Sequence, residues 1–255
     1  MTTTLINFIK IVSATGIALI ALALPAHAQF TLRPAIGLQT MWLNGDYPAR
    51  QPISSGTSED LPLGGGIIGS SNALHLGLEL IPDPEGILRF PVSADVFFLS
   101  GKTTFTTTRP PLATQRLLLK HTANIYSLGA GVSASFFTLP SLYLSAQATL
   151  NYIPATSFMA REYRDADNQT LSEVTLNPDT TNRIRGGAYL KIGTQVEFFE
   201  PFLLDFSVGY GAINLFGKET DPAKQRNLLI VDNQVRSPEV TLGYIGVGFS
   251  VIWKL

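Results

Sequence analysis

The 255-residue sequence contains no cysteine, so neither disulfides nor thiolate metal ligands are available to the fold. Charged residues are scarce, at 15% against an ordinary ~25%, and the net charge is −1. This balance argues against nucleic acid as a partner. Beyond the first 28 residues there is no continuous apolar run of about 18 residues, so no transmembrane helix is predicted.

Histidine is also rare, and beyond the N-terminal segment only His75 and His121 occur. His75 falls near the middle of a predicted strand, and His121 falls in a loop beside Lys120. No G-x-S-x-G sequence is present to form a nucleophile elbow. We therefore expect no enzymatic activity, and a lipid-modifying enzyme is the third choice among the functions considered.

The sequence predicts no metal or cofactor site. Asp165, Asp167, Asn168 and Glu173 offer oxygen ligands for Ca²⁺, but the EF-hand spacing and its glycine are missing. The three glycines at 64–66 are not followed by Lys and Ser or Thr, so they do not form a phosphate-binding loop. Both segments are better interpreted as solvated loops.

The N-terminus has the pattern of a secretory signal peptide. Lys10 precedes an apolar run at 11–24, and Ala-His-Ala follows at 26–28 as an A-x-A cleavage site. The run is too short for a membrane anchor. We expect residues 1–28 to be cleaved, leaving one exported domain of residues 29–255.

Strict alternation of apolar and small or polar residues dominates the remainder, and it is clearest in the last segment, 241–255. Its odd positions from Ile245 are apolar, and its even positions include Gly246, Gly248 and Ser250. A β-strand with lipid on one side and a crowded interior on the other requires this period of two. Eight such segments are predicted, each long enough to cross a bilayer: 30–44, 72–81, 87–100, 124–137, 142–152, 184–199, 203–215 and 239–255.

The links between these segments alternate between long and short. The long links are 45–71, 101–123, 153–183 and 216–238, and the short links are 82–86, 138–141 and 200–202. Outer-membrane barrels have short periplasmic turns and long extracellular loops. The pattern predicts an all-β fold: an antiparallel, up-and-down transmembrane barrel of eight strands. Ten strands remain an alternative, if the second or fourth long loop contains a further hairpin.

The two faces of each segment differ in composition. In the second segment the apolar face opposes a polar one, with Leu74, Leu76, Leu78 and Leu80 against His75, Gly77 and Glu79. Across the segments the polar face is rich in Gly and Ser, which suit a narrow interior better than a hydrated exterior. We therefore place the apolar face against lipid. Pro91, inside the third segment, lacks an N–H and predicts a β-bulge there.

The architecture and the last strand resemble the family of small eight-stranded outer-membrane β-barrels of the OmpA, OmpX and OmpW type, over residues 30–255. The resemblance implies an outer-membrane location, contact with outer-membrane lipid, and recognition of the last strand by the barrel-insertion machinery. Family members usually end in Phe or Trp, whereas this chain ends in Leu255, with Trp253 and Phe249 on the same face. These three residues are the expected insertion signal and part of the aromatic girdle.

The interior of an eight-stranded barrel is only wide enough for side chains to fill. We expect a network of paired charges there, because unpaired buried charges are costly. Its expected members are Arg33, Glu79, Arg89, Asp95, Arg185, Lys191, Glu197 and Asp205. A plugged lumen favours a structural or surface-interaction role. The alternative is a narrow, porin-like channel for small or hydrophobic solutes.

Parts of the long loops also have strand-like composition. Residues 103–111 read TTFTTTRPP, residues 115–121 read QRLLLKH, and residues 228–231 read LLIV. They are predicted to form a β-rich rim above the membrane, which suits contact with an extracellular partner.

Overall fold

The computed structural model describes residues 31–44, 50–52, 60–62, 71–82, 87–107, 115–137, 140–154, 156–164, 166–176, 183–218, 228–229 and 239–254. The predicted signal peptide and Leu255 lie outside these residues. No helix within the described ranges is long and apolar enough to cross a membrane. The strands there are β1 Thr31–Asn44, β2 Arg50–Pro52, β3 Asp60–Pro62, β4 Ser71–Ile81, β5 Leu88–Thr107, β6 Gln115–Ser135, β7 Ser141–Ile153, β8 Ser157–Arg164, β9 Thr170–Leu176, β10 Arg183–Phe199, β11 Phe202–Phe216 and β12 Gly243–Trp253.

Eight of these strands close into an antiparallel barrel. The order is β5-β4-β1-β12-β11-β10-β7-β6, and pairing of β5 with β6 closes the ring. The first and last strands are neighbours, with Ala35 opposite Ile252. All other neighbouring strands of the ring are consecutive barrel strands in the sequence. The topology is therefore up-and-down, as the sequence predicted. Closure leaves no free strand edge within the membrane.

The side chains alternate across the barrel wall as expected. Ile36 and Leu38 point outward and are 65% and 61% exposed, whereas Gln39, the residue after Leu38, faces the interior and is buried. In β12 the outward positions include Phe249 and Trp253, and Ser250 is buried. The outer surface is therefore apolar and the interior polar, which is the arrangement of a barrel embedded in lipid. Leu80 departs from the pattern, because it is buried at the periplasmic end of β4.

Strand lengths differ from the predictions at two places. β5 and β6 run past the barrel and remain paired as far as Thr107 and Gln115, which confirms the strand-like character of those loops. β12 begins at Gly243, four residues later than predicted. Glu239 and Leu242 do not continue the strand because they turn inward and bond to residues of β10 and β11.

The additional hairpin lies in the third long loop, and not in the second or fourth as the ten-strand alternative required. β8 pairs with the extended part of β6, from Gln115 to Thr122, and β9 pairs with β8. Neither strand enters the ring. Residues 100–107 of β5, 115–122 of β6, β8 and β9 form a four-stranded sheet beyond the barrel, which we call the projecting sheet.

The bulge predicted at Pro91 is absent. The register between β5 and β6 is the same before and after this residue, from Arg89↔Ser133 to Val92↔Ala130. Phe90 and Pro91 make no ladder pair on that side, so the missing N–H falls in a gap of the ladder. Register shifts occur instead between β10 and β11, near Gly186 and near the periplasmic turn.

Candidate functional site

The interior is packed by tyrosine rings that lie against glycines of neighbouring strands. A Cβ atom at Gly209 would lie 2.7 Å from the Tyr189 hydroxyl, and one at Gly211 would lie 2.5 Å from the Tyr244 ring. Tyr189 and Tyr244 stack with their centroids 5.5 Å apart. The glycines of the polar face therefore leave the space that these rings occupy.

A first polar cluster lies at the periplasmic end, around the buried Arg89. Its guanidinium donates to Gln195 Oε1 at 2.5 Å and to Ser135 Oγ at 3.1 Å. Gln195 donates in turn to Glu79 at 2.9 Å, and Arg89 lies 3.9 Å from the other carboxylate oxygen of Glu79. Arg33 lies opposite Glu79 in the pairing of β1 with β4. The Gln195 amide thus links the Glu79 carboxylate to Arg89, and strand register places Arg33 beside them.

A second cluster occupies the middle of the lumen. His75 Nδ1 lies 2.5 Å from Asp95 Oδ1, and Tyr143 donates to Asp205 at 3.1 Å. The ammonium of Lys191 lies 5.6 Å from the centre of the Tyr143 ring. The space left between these groups for the centres of water molecules is about 20 Å³. This is enough for a single water or two and far too small for a solute.

An apolar layer covers the polar clusters on the extracellular side. Leu228 and Leu229, from the fourth long loop, are 2% and 0% exposed. They pack with inward side chains of the barrel strands, which are Met41, Ala73, Phe97, Leu99, Ala123, Ile125, Ile153, Tyr189, Ile213, Leu242 and Tyr244. We call Leu228 and Leu229 the cap. The prediction that 228–231 extends a rim is wrong for these two residues, which form a turn inside the mouth; 230–231 lie outside the described residues.

A buried ion pair fastens the end of the capping loop to the barrel wall. Arg185 donates to both carboxylate oxygens of Glu239, with the shortest contact at 2.7 Å. Asn214 donates to the same carboxylate at 2.8 Å and accepts from the Leu242 amide at 2.6 Å. Because Glu239 is fully enclosed, these bonds fix where the loop re-enters the barrel.

The eight residues predicted as one lumenal network are distributed over several levels. Arg33, Glu79 and Arg89 lie in the periplasmic cluster, and Asp95, Lys191 and Asp205 lie in the middle cluster. Arg185 belongs to the mouth. Glu197 lies at the periplasmic rim, half exposed, where Lys254 donates to it at 3.0 Å.

The residues expected to form the insertion signal lie on the outer surface. Phe249 packs on Phe206 with centroids 5.0 Å apart, and Trp253 packs on Phe202 at 6.2 Å. Both aromatic pairs join β12 to β11 on the lipid side.

His121 lies in the projecting sheet, outside the membrane span, and is completely buried. Burial lowers the pKa of His121 to about 4, although a hydrogen bond to the backbone of Leu229 opposes the shift. The imidazole is therefore neutral at physiological pH and joins the base of the projecting sheet to the cap.

The sequence does not identify four residues of the site. Its pattern places Glu239 in a strand, gives Tyr143 no face, and places the two cap leucines in a rim. The available signal for Tyr143 was its odd position in β7, which shares the interior face with Gln147 and Asn151. Within the described residues no group of three His, Asp or Glu side chains lies close enough to hold a metal ion.

No family model matches the sequence, and no curated protein matches it. Among solved structures, Neisserial surface protein A is similar at 12% identity and a TM-score of 0.36, over 89% of this chain and 96% of that one. The Yersinia pestis attachment invasion locus protein, Ail, has 12% identity and a TM-score of 0.36, over 88% and 98%. The outer-membrane protein AlkL has 9% identity and a TM-score of 0.29, over 91% and 94%. These likenesses concern the fold.

Proposed function

We propose that this protein is a closed outer-membrane barrel that acts through its extracellular surface and does not conduct solutes. The observation that carries this proposal is the filling of the lumen at successive levels. Two polar clusters are covered by an apolar layer, and the cap leucines close the mouth. A solute would have to displace buried ion pairs and an apolar core in turn, and both are costly.

The projecting sheet is the part available to a partner. Every β9 side chain from Thr170 to Thr175 is exposed, including Leu171 and Val174. β9 ends the sheet, so its outer edge has no strand partner among the described residues. Such an edge is a template for strand addition by an extended peptide of another protein. We therefore propose a protein partner that binds along β9.

Conductance tests the closed lumen. The exported chain, residues 29–255, is refolded and inserted into a planar lipid bilayer, and single-channel current is recorded. We expect no conductance steps. Steady, reproducible steps would reject the proposal in favour of the narrow channel, for which the polar lining of the lumen is the supporting observation.

Adhesion tests the surface role. Cells displaying the barrel are applied to surfaces coated with candidate extracellular proteins, and Val174→Pro is compared with Val174→Thr. Proline is not tolerated in a strand that is paired on both sides and so blocks strand addition to β9, whereas threonine keeps the strand propensity. Adhesion is expected to fall only with proline. Equal adhesion by both variants would exclude β9 as the binding edge.

The proposal also covers the signal peptide, the last strand and the two histidines of the exported chain. Residues 1–28 direct export and are removed by cleavage after Ala28, and the insertion machinery recognises the last strand with Phe249 and Trp253. N-terminal sequencing of the protein from the outer-membrane fraction is expected to begin at Gln29, and an intact N-terminus would disprove cleavage. No catalysis is required, since His75 is engaged by Asp95 in the lumen and His121 is enclosed.

A further inference from the structure

The outward face of the projecting sheet is positively charged. Alternation along β5 and β6 continues from the barrel, so side chains on this face follow directly from the lipid-facing surface below. Strand register assigns Lys102, Arg116, Lys120 and Arg161 to it. Glu173 is the single acidic residue among the described residues of this face, and it lies 4.0 Å from Arg161. The face therefore carries an excess of positive charge.

The centre of this excess is a pair of lysines. Lys102 and Lys120 lie directly opposite each other on adjacent antiparallel strands, and both are exposed. Like charges in this position destabilise a sheet. Within the part of the chain that the structure describes, no carboxylate forms an ion pair with either lysine. An anion from outside the chain would remove the repulsion.

The height of Lys102 and Lys120 above the membrane indicates which kind of anion can reach them. From Phe136 to Tyr126 the outward side of β6 crosses the apolar band, and ten residues of a tilted strand rise ~25 Å, the height expected for that band. Tyr126 packs on Tyr152 at the upper boundary. Lys120 lies six residues further, ~15 Å above it by the same rise.

A simple phospholipid headgroup does not reach this height. The polar layer of an ordinary bilayer leaflet extends only ~5–8 Å beyond the hydrocarbon. A lipid with a saccharide headgroup extends further and brings its phosphates beside the sheet. Threonine hydroxyls on the same face, at Thr104 and Thr106, are exposed and provide hydrogen-bonding groups for sugar.

We propose that the outward face of the projecting sheet, centred on Lys102 and Lys120, binds the phosphorylated saccharide headgroup of an outer-leaflet glycolipid. The face lies directly above the surrounding leaflet. Its neighbours are therefore the headgroups of lipids that contact the barrel wall. This site differs from the β9 edge proposed for a protein partner, and it does not depend on that partner. Its role is to hold the projecting sheet at the membrane surface.

The experiment measures lipid retention on the folded chain in uncharged detergent micelles by native mass spectrometry. The titrated lipids are a bisphosphorylated glycolipid, the same glycolipid without its phosphates, and phosphatidylglycerol. The double variant Lys102→Gln/Lys120→Gln is compared with Lys218→Gln/Lys254→Gln, which removes the same charge from outside this face. Each lysine near an anionic lipid surface is expected to contribute about fivefold, so the double variant should lose roughly 25-fold in affinity.

The expected result is preferential retention of the phosphorylated glycolipid, lost in the Lys102/Lys120 variant, kept in the control and weakened by salt. Three results would overturn the proposal: equal retention of the dephosphorylated glycolipid, equal retention of phosphatidylglycerol, or an unchanged affinity in the Lys102/Lys120 variant. Competition by free inorganic phosphate at equal affinity would also overturn it, because it would indicate a site for a soluble ion. A folding check by the unchanged heat-dependent gel mobility of each variant accompanies the titration.

Discussion

At the scale of single residues, His121 is expected to make the extracellular end sensitive to acid. Its folded pKa of about 4 lies below the ordinary 6.5, because burial disfavours the charged ring. The neutral ring therefore makes its full contribution to folding stability above pH 6.5, and this contribution is lost as the pH falls towards 4. An NMR titration of the His121 ring in micelles is expected to show a midpoint near 4. A midpoint near 6.5 would show that the ring is accessible to water.

The interior glycines lead to a second prediction at this scale. A Cβ atom at Gly131 would collide with the Ala146 carbonyl of the neighbouring strand, and backbone cannot rotate away. Gly131→Ala is expected to destabilise the barrel by about 1–3 kcal/mol through overpacking. Gly248→Ala is the matched control, because its Cβ would meet only the rotatable Ser207 hydroxyl at 2.8 Å. Urea unfolding in lipid vesicles measures both, and equal losses would contradict the argument.

Single residues also show what sequence can predict about the interior. Period two assigned Glu79, Asp95 and Lys191 to one face, because the pleat alone decides that. It did not identify the partner of any of them, since partners such as His75 for Asp95 depend on strand register and on the curvature of the closed ring. Glu239 was misplaced because a residue before a strand has no periodic signal of its own.

At the scale of elements, the cap is expected to hold the fourth long loop against the barrel. Burying each leucine contributes ~1.5–3 kcal/mol. Leu228→Ser/Leu229→Ser should release the loop while the strands stay paired. Trypsin cleavage of this loop in intact vesicles, at Lys224 and Arg226, is therefore expected to accelerate at least tenfold.

Val240→Ser is the matched control for the cap, since Val240 belongs to the same loop and is 43% exposed. It should leave the cleavage rate unchanged. If the cap variant were cleaved no faster than the control, the loop would be held by the bonds of Arg185 and Asn214 to Glu239 and Leu242, and the leucines would contribute nothing to its position.

In the extracellular half, the sequence pattern predicts some strands correctly and misassigns one segment. The strand-like loops at 103–107 and 115–121 do extend β5 and β6. The apolar residues Leu228 and Leu229 have equal strand propensity and are a buried turn. Propensity alone did not distinguish the two cases, because the difference is what each segment packs against: an adjacent strand in one case, and the apolar mouth of the barrel in the other.

At the scale of the whole molecule, the ring of strands was predictable from the sequence and the filling of its lumen was not. Two independent features, period two and the sorting of link lengths, determine an up-and-down barrel with its termini at the periplasmic end. Whether such a ring conducts depends on side chains that approach from opposite walls, such as Tyr189 and Tyr244, and on loops such as the one carrying Leu228. Those contacts join residues far apart in sequence.

The lumen is predicted to contain two apolar barriers in series. The cap and the stacked pair Tyr189–Tyr244 are both apolar, so each alone excludes hydrated ions, whereas the polar clusters below can take up water once they are exposed. We expect the cap variant Leu228→Ser/Leu229→Ser to remain silent in single-channel recordings. Tyr189→Ala/Tyr244→Ala should also remain silent while the cap is intact.

Only the combination of both sets of substitutions is expected to conduct, because either the cap or the tyrosine pair excludes hydrated ions while the other is removed. Phe206→Ala/Phe249→Ala added to the cap variant is the matched control, since it removes an aromatic pair of the lipid-facing surface and leaves the lumen filled. Conductance from the tyrosine variant alone would show that the cap does not seal the mouth. Silence of the combined variant would place the seal lower, at Arg89 and its partners, where buried ion pairing and not apolar packing would close the barrel.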